Sequence, residues 1–294
     1  MIDDVIRIGE RTDAGPFVVV DEPDRDGPGS VHGPGTVPGA APATVLLVPP
    51  FAMSADSMFA ASCVLVRNGL RVLRLEPRNA PDGGNESLRG FRLSRLQEDI
   101  EAVLAEQSPS ALVAVSLAGR AALRAIAGPG TGVRAAALIT PVVDVAHTLG
   151  QVMGEDLFDR ITWDRETRCL TVLGHHVDLE FVHDCRLHGL HDLAGTERDI
   201  AAGTAELALV AGTDDPWVEV RQVRDLVLAA RSGVELVEIP AASHQLYRNP
   251  VLAMRFFVAA ADHLTRVLTG SSTPAVAPPF AEIVAQLEAH RRIA

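Results

Sequence analysis

Ser116, Asp215 and His244 are three side chains whose types and order along this 294-residue sequence could carry out nucleophilic chemistry. Ser116 ends the apolar run LVAVS, and the helix-prone stretch LAGRAALRAI starts at once. A nucleophile held on a sharp strand-to-helix turn needs small residues two places before and two places after it, because the backbone closes tightly there. Ala114 and Ala118 occupy those places, with Gly119 next. A plain serine N-cap would leave much the same trace, so the serine alone decides nothing.

A hydroxyl is a poor nucleophile until a base takes its proton, and the base needs an acid to orient it. Asp215 lies in VAGTDDPWV, directly after the apolar run ELALVAG. His244 lies in IPAASHQLYRNP, between the run VELVEIP and a helical stretch. Asp214 competes for the role of acid. Asp215 is preferred because the residue before a proline is held extended. Asp144, after RAAALITP, is a second candidate ranked below it. Taken singly, the acids read equally well as a helix N-terminal pair and the histidine as a loop residue. An oxyanion would need two backbone N–H donors. Leu117 supplies one. The other should come from VPPFAMS, where Pro49 and Pro50 have no N–H, so Phe51 is the first donor available and Ala52 the reserve.

These residues need elements to carry them. VIRI and PFVVV read as an antiparallel hairpin edge. TVLLV, RVLRLE, ALVAV and RAAALI are short apolar runs of buried-strand type, and helical patterns follow each of the first three. That alternation predicts an α/β fold with a mainly parallel sheet and helices on both faces. Ser116, Asp215 and His244 then all fall at carboxyl ends of strands, where such sheets keep their ligand crevices. The rhythm breaks between Asp144 and Ala202, and this interruption reads as an inserted cap. The Gly- and Pro-rich stretch EPDRDGPGSVHGPGTVPGAAPA, with His32 inside it, reads as a loop. The tail TGSSTPAVAPP leads to the amphipathic FAEIVAQLEAHRRIA. That last helix could dock on its own chain or form a homodimer contact, and the pattern does not choose. The expected organisation is one domain over 1–268 with a cap at about 145–202, then a Pro-containing linker and helix over 269–294.

Composition narrows the function classes. The formal net charge of -12 argues against nucleic acid as a partner. All 26 basic residues are arginine, and seven of them fall between Arg67 and Arg95. That run is either solvated surface or a landing site for an acidic partner such as an acyl carrier protein. Cys63, Cys169 and Cys185 are odd in number and lack a CxxC pair, so they read as buried thiols of a reducing cytoplasm. No apolar run is long enough to span a bilayer, and the start MIDDVIRIGE has no signal-peptide core.

With IDDVIRI, the elbow VSLAGRA, PVVDVAHTLG, FVHDCRLHGLHDL, DDPWVEVRQV and ASHQL in view, the chain resembles the lux-type acyl-ACP thioesterases, the myristoyl-acyl transferases of bacterial bioluminescence, within the α/β-hydrolase superfamily. The resemblance runs from about Ile2 to Val267, and the Gly/Pro loop and the tail look like additions to it. It implies that Ser116, Asp215 and His244 form a triad. It also implies acyl-serine chemistry on a fatty acyl thioester, with release to water or another acceptor and no cofactor; since a fold does not fix the substrate, a polyketide-like thioester, on a carrier protein or CoA, fits equally well. Ester hydrolysis, an acyl-transferring cyclase or a non-catalytic binding protein on the same fold are the rival expectations.

The cap is rich in histidine: HHVDLEFVHDCRLHGLH holds His175, His176, His183, Cys185, His188 and His191. These are metal-ligand types, but the spacing is not that of a zinc finger, so packing and surface roles are expected and no metal. Trp163 and Trp217 read as packing residues, and Trp217 could also line an acyl pocket.

Overall fold

The structure, a computed structural model, describes residues 4–7, 16–23, 41–78, 88–159 and 169–293. Residues 24–40 of the Gly/Pro loop, His32 among them, and Trp163 lie outside the described residues. An eight-stranded sheet runs through the molecule in the order β1-β2-β4-β3-β5-β6-β9-β10. β1 (Asp4–Arg7) and β2 (Phe17–Asp21) form the antiparallel edge, and β2 pairs antiparallel with β4 (Arg71–Glu76). The rest is parallel: β3 (Thr44–Val48), β5 (Ala111–Val115), β6 (Ala135–Ile139), β9 (Glu206–Gly212) and β10 (Val234–Ile239).

The central strands are apolar throughout because both faces are covered. β3 shows it: Leu46 and Val48 point to one core, Val45 and Leu47 to the other. The first core is closed by α2 (Leu93–Gln107), α3 (Ala118–Ala127) and α7 (Val220–Ala229). The second is closed by α1 (Phe59–Arg67) and the long α8 (Pro250–Thr269). Helices therefore lie on both faces, as the alternation of runs predicts.

Between β6 and β9 the chain leaves the sheet. Its described parts are α4 (Val145–Met153), an antiparallel hairpin of β7 (Cys169–Val172) and β8 (His175–Asp178), α5 (Glu180–Leu187) and α6 (Leu193–Ala202). The hairpin turns on Leu173 and Gly174, both at positive φ (51° and 87°), the geometry of a two-residue type I′ loop.

Polar contacts fasten this segment to the helices beneath it. Asp184 of α5 accepts from Ser94 N at 3.0 Å and Ser94 Oγ at 2.5 Å, capping α2 from outside. Arg120 of α3 is fully buried and donates to Asp199 of α6 at 2.5 Å, while Arg124 donates to the same carboxylate at 2.7 Å. Burial pushes Arg120 below the usual arginine range, and Asp199 pulls it back up. Gly195 permits the approach, since a Cβ there would lie 2.3 Å from the Gly189 carbonyl oxygen.

The arginine run does not form one free basic face. Arg74 is fully buried and donates to Asp21 at 2.6 Å. Arg71 pairs with Glu22, Arg78 with Asp99 and Arg92 with Glu180. Of the three thiols, Cys63 and Cys185 are buried, but Cys169 is only partly so, because β7 belongs to a two-stranded sheet with one open side. The C-terminal α9 (Phe280–Ile293) rests on α1 of its own chain. Ile283 packs with Phe59 and Cys63, and Gln286 accepts from Cys63 Sγ at 3.3 Å. Burial raises the Cys63 thiol to about 12.

Candidate active site

Each of the three sequence candidates stands just beyond a parallel strand, and the strand order brings the loops together. Ser116 follows β5 and precedes α3 with φ 57°, a left-handed conformation that costs a non-glycine residue energy. Its N–H bonds to the Ile139 carbonyl at 2.9 Å, and its carbonyl accepts from Gly119 at 3.0 Å and Val142 at 3.3 Å. Ala114 and Ala118 are fully buried against this turn, so larger side chains have no room there. Gly119 is under no such constraint, for a Cβ would sit 3.8 Å from Leu138, an ordinary contact. An N-cap serine has extended backbone and bonds its own helix. Ser116 has neither property: its Oγ faces His244 Nε2 at 2.7 Å.

His244 Nδ1 lies 2.7 Å from Asp215 Oδ2. The other oxygen of Asp215 accepts from the N–H groups of Trp217 at 2.9 Å and Val218 at 3.0 Å, which fixes the carboxylate's direction. The His244 ring is 7% exposed. The loops carrying acid and base are joined directly. Asp214 N–H donates to the Ala242 carbonyl at 3.0 Å, and Ala241 N–H to Thr213 Oγ1 at 2.9 Å. Gly212 allows this closeness, since a Cβ there would fall 2.2 Å from the Ala242 carbonyl oxygen.

The competing acids are engaged elsewhere. Asp214 accepts from Thr213 Oγ1 at 2.9 Å. Asp144 caps α4, accepting from His147 N at 2.9 Å.

Phe51 lies in the turn after β3 that Met53 N–H closes onto the Pro50 carbonyl at 3.2 Å, with Ala52 at φ 62°. Leu117 opens α3, where the first N–H groups have no intrahelical acceptor. Both residues line the cavity that holds Ser116 and His244. Among the described residues six non-glycine residues have positive φ, and four of them, Ala52, Ser116, Thr140 and Ala241, stand past carboxyl ends of parallel strands of the main sheet, the concentration of strain expected of a working site.

Apart from Ser116, His244, Thr148 and the Trp217 indole, the side chains lining the cavity are apolar. Val145, Thr148, Leu149 and Val152 form one face of α4 along it, at spacing i, i+3, i+4, i+7. Val172, Leu173 and Val177 of the β7–β8 hairpin form another wall, and Phe181 adds to it. The Trp217 ring lies 4.8 Å from that of His244, tilted by 50°. The free volume of the cavity is about 50 Å³, smaller than the roughly 150 Å³ of a dry engineered cavity that binds benzene. The α4 positions were open to sequence reasoning through their helical spacing, and Gly212 through its place at a strand end before TDDP. The hairpin wall was not anticipated.

Among the described residues, no group of three or more His, Cys, Asp or Glu could hold a metal ion. His175 packs edge-on to Phe51, His191 stacks on Phe158, and His188 lies 3.6 Å from Asp184. Nor is any helix among them long and apolar enough to cross a membrane.

The acyl transferase family matches residues 38–292, and the chain belongs to that family. The matched span reaches through the tail to residue 292. Comparison with curated protein sequences finds no match. Among solved structures, the esterase domain of a Rhodothermus marinus protein is 20% identical with TM-score 0.59, covering 89% of this chain and 97% of its own. Est1E from Butyrivibrio proteoclasticus is 14% identical with TM-score 0.66, covering 90% and 98%. The monoacylglycerol lipase of Paleococcus ferrophilus is 13% identical with TM-score 0.61, covering 76% and 95%. The fold is that of the α/β hydrolases.

Proposed function

We propose that the chain is a serine acyl hydrolase or acyltransferase of the lux-type thioesterase kind, taking a fatty or polyketide-like acyl group from a carrier-protein or CoA thioester. The observation that carries this reading is the pair of 2.7 Å contacts, Asp215 to His244 and His244 to Ser116, opening on an apolar slot. Ser116 Oγ attacks the thioester carbonyl as its proton passes to His244 Nε2. Asp215 holds the ring so that Nε2 faces the serine and stabilises the imidazolium that forms. Backbone N–H groups of Leu117 and Phe51 receive the oxyanion. The tetrahedral species collapses, the C–S bond breaks, and the sulfur leaves with the proton held on His244. A second nucleophile, water or another acceptor, gives a proton to the same nitrogen and attacks the acyl-serine; the acyl C–O bond breaks, and His244 returns the proton to Ser116 Oγ.

The segment over 145–202 acts as a cap in this reading, its hairpin and α4 enclosing the acyl chain. Three free cysteines fit a reducing, cytoplasmic setting. Ser116→Ala is expected to abolish the burst of thiol released from a long-chain acyl thioester, read with a thiol-reactive dye. Unchanged turnover in that variant overturns the assignment. Oxyester substrates run beside matched thioesters separate this chemistry from that of an ester hydrolase.

A further inference from the structure

Resting on that reading of the site, we propose that Thr148 selects acyl chains that carry an oxygen function within the chain over plain hydrocarbon chains. Thr148 lies on the face of α4 that lines the slot, is 6% exposed, and its hydroxyl has no hydrogen-bond partner among the described residues. Burying a hydroxyl without a partner is unfavourable. A threonine in a helix normally escapes this by bonding to the carbonyl four residues earlier. Other buried helical threonines of this chain find an acceptor. Thr265 Oγ1 donates to the Ala261 carbonyl at 2.9 Å, and Thr196 Oγ1 to the Val143 carbonyl at 2.6 Å. At Thr148 only the backbone N–H reaches the Asp144 carbonyl, at 3.0 Å.

Valine has nearly the same shape and would remove the unmet hydroxyl from a wall otherwise built of Val145, Leu149, Val152, Val177 and Phe181. The position instead presents a group that can both donate and accept, matched to a hydroxyl or a keto oxygen of a ligand. Its place along the slot follows from the helix. Val142 N–H touches the Ser116 carbonyl at 3.3 Å, and α4 begins at Val145. Thr148 is one helical turn further, about 4.5 Å along the axis. In this proposal the oxygen it meets belongs to the body of the chain, since the thioester carbonyl is received by the backbone N–H groups of Leu117 and Phe51.

The test compares N-acetylcysteamine thioesters of decanoic acid and of 3-, 7- and 9-hydroxydecanoic acid on the full chain, with kcat/KM for each. The wild type is expected to prefer at least one hydroxylated chain by on the order of tenfold, since a site built to bond a hydroxyl discriminates against chains that lack it. Thr148→Val should lower kcat/KM for that chain and raise it for plain decanoyl. Thr148→Ser, which keeps the hydroxyl, should retain the preference. A wild type that treats all four chains alike overturns the inference, and so does a preference that survives in Thr148→Val. Failure of every chain to acylate Ser116, read by intact mass, overturns the functional reading itself and this inference with it.

Discussion

His244 and His263 make the same first contact. Each presents Nδ1 to a carboxylate oxygen 2.7 Å away, of Asp215 in one case and Glu235 in the other. Both rings are buried, at 7% and 3% exposure. They differ at the second nitrogen. His244 Nε2 meets a serine hydroxyl on a strained turn at the wall of an apolar slot. His263 Nε2 meets the carbonyl oxygen of Glu206 at 3.2 Å. A carboxylate and a carbonyl only accept, so both His263 nitrogens face acceptors and neither meets a nucleophile. It works as a strut between α8, β9 and β10. A histidine–carboxylate pair is thus not by itself a sign of catalysis. What stands at the other nitrogen, and whether a substrate can reach it, separates a base from a brace.

The sharpest way to break this comparison is to change one oxygen in each pair. Asp215→Asn keeps the shape but offers His244 a group that favours the wrong tautomer. The turnover number of an acyl thioester should fall on the order of ten-thousandfold. Glu235→Gln, the matching change at the other pair, should leave turnover within twofold of wild type. Equal losses in the two variants would mean that the pairs are not different in kind.

A smaller effect tests whether position alone makes the difference. Gly212→Ala touches neither member of the His244 pair, yet its Cβ would fall 2.2 Å from the Ala242 carbonyl oxygen, on the loop that carries the histidine. The loop must shift. Misplacing a reacting group by about 1 Å costs on the order of a hundredfold in rate, and the overpacking should cost about 1–3 kcal/mol of stability. Urea unfolding beside steady-state kinetics reads both. A rate loss no larger than the stability change explains would show that the joined loops are scaffold only.

Much of this arrangement was legible because local pattern and global fold agree. Apolar runs of five to seven residues became strands, and Ser116, Asp215 and His244 stand at their carboxyl ends. The small flanks of Ser116 were legible because a tight turn is a local steric demand. Long-range polar pairs were not. Arg120 sits in a helix whose neighbours are Gly and Ala, and nothing nearby reveals that Asp199, 79 residues on, will bury it. Arg74, one of a run that reads as surface, is buried for the same kind of reason. The β7–β8 hairpin escaped notice because its turn is Leu-Gly, not the Asn-Gly that advertises a type I′ loop. Leu173 accepts an awkward φ there while lining the slot. Local rules were broken where the site needed it.

The smallest effect concerns acid stability and sharpens what a brace does. Burial alone would raise Glu235, but hydrogen bonds from His263 and Arg266 outweigh it and hold the carboxyl below its ordinary value. A folded-state pKa below the unfolded one means that the carboxylate stabilises the fold above its ordinary range. That contribution is lost as the pH falls through the depressed value. Glu235→Gln removes it. The variant's melting temperature should sit slightly below wild type at neutral pH, and the gap should close on acidification. The gap is small because the Glu235 side chain is 41% exposed and solvent screens it. A gap that stays constant down the acid limb would remove His263 and Arg266 as the cause. The contrast with His244 would then rest on the Glu206 carbonyl alone.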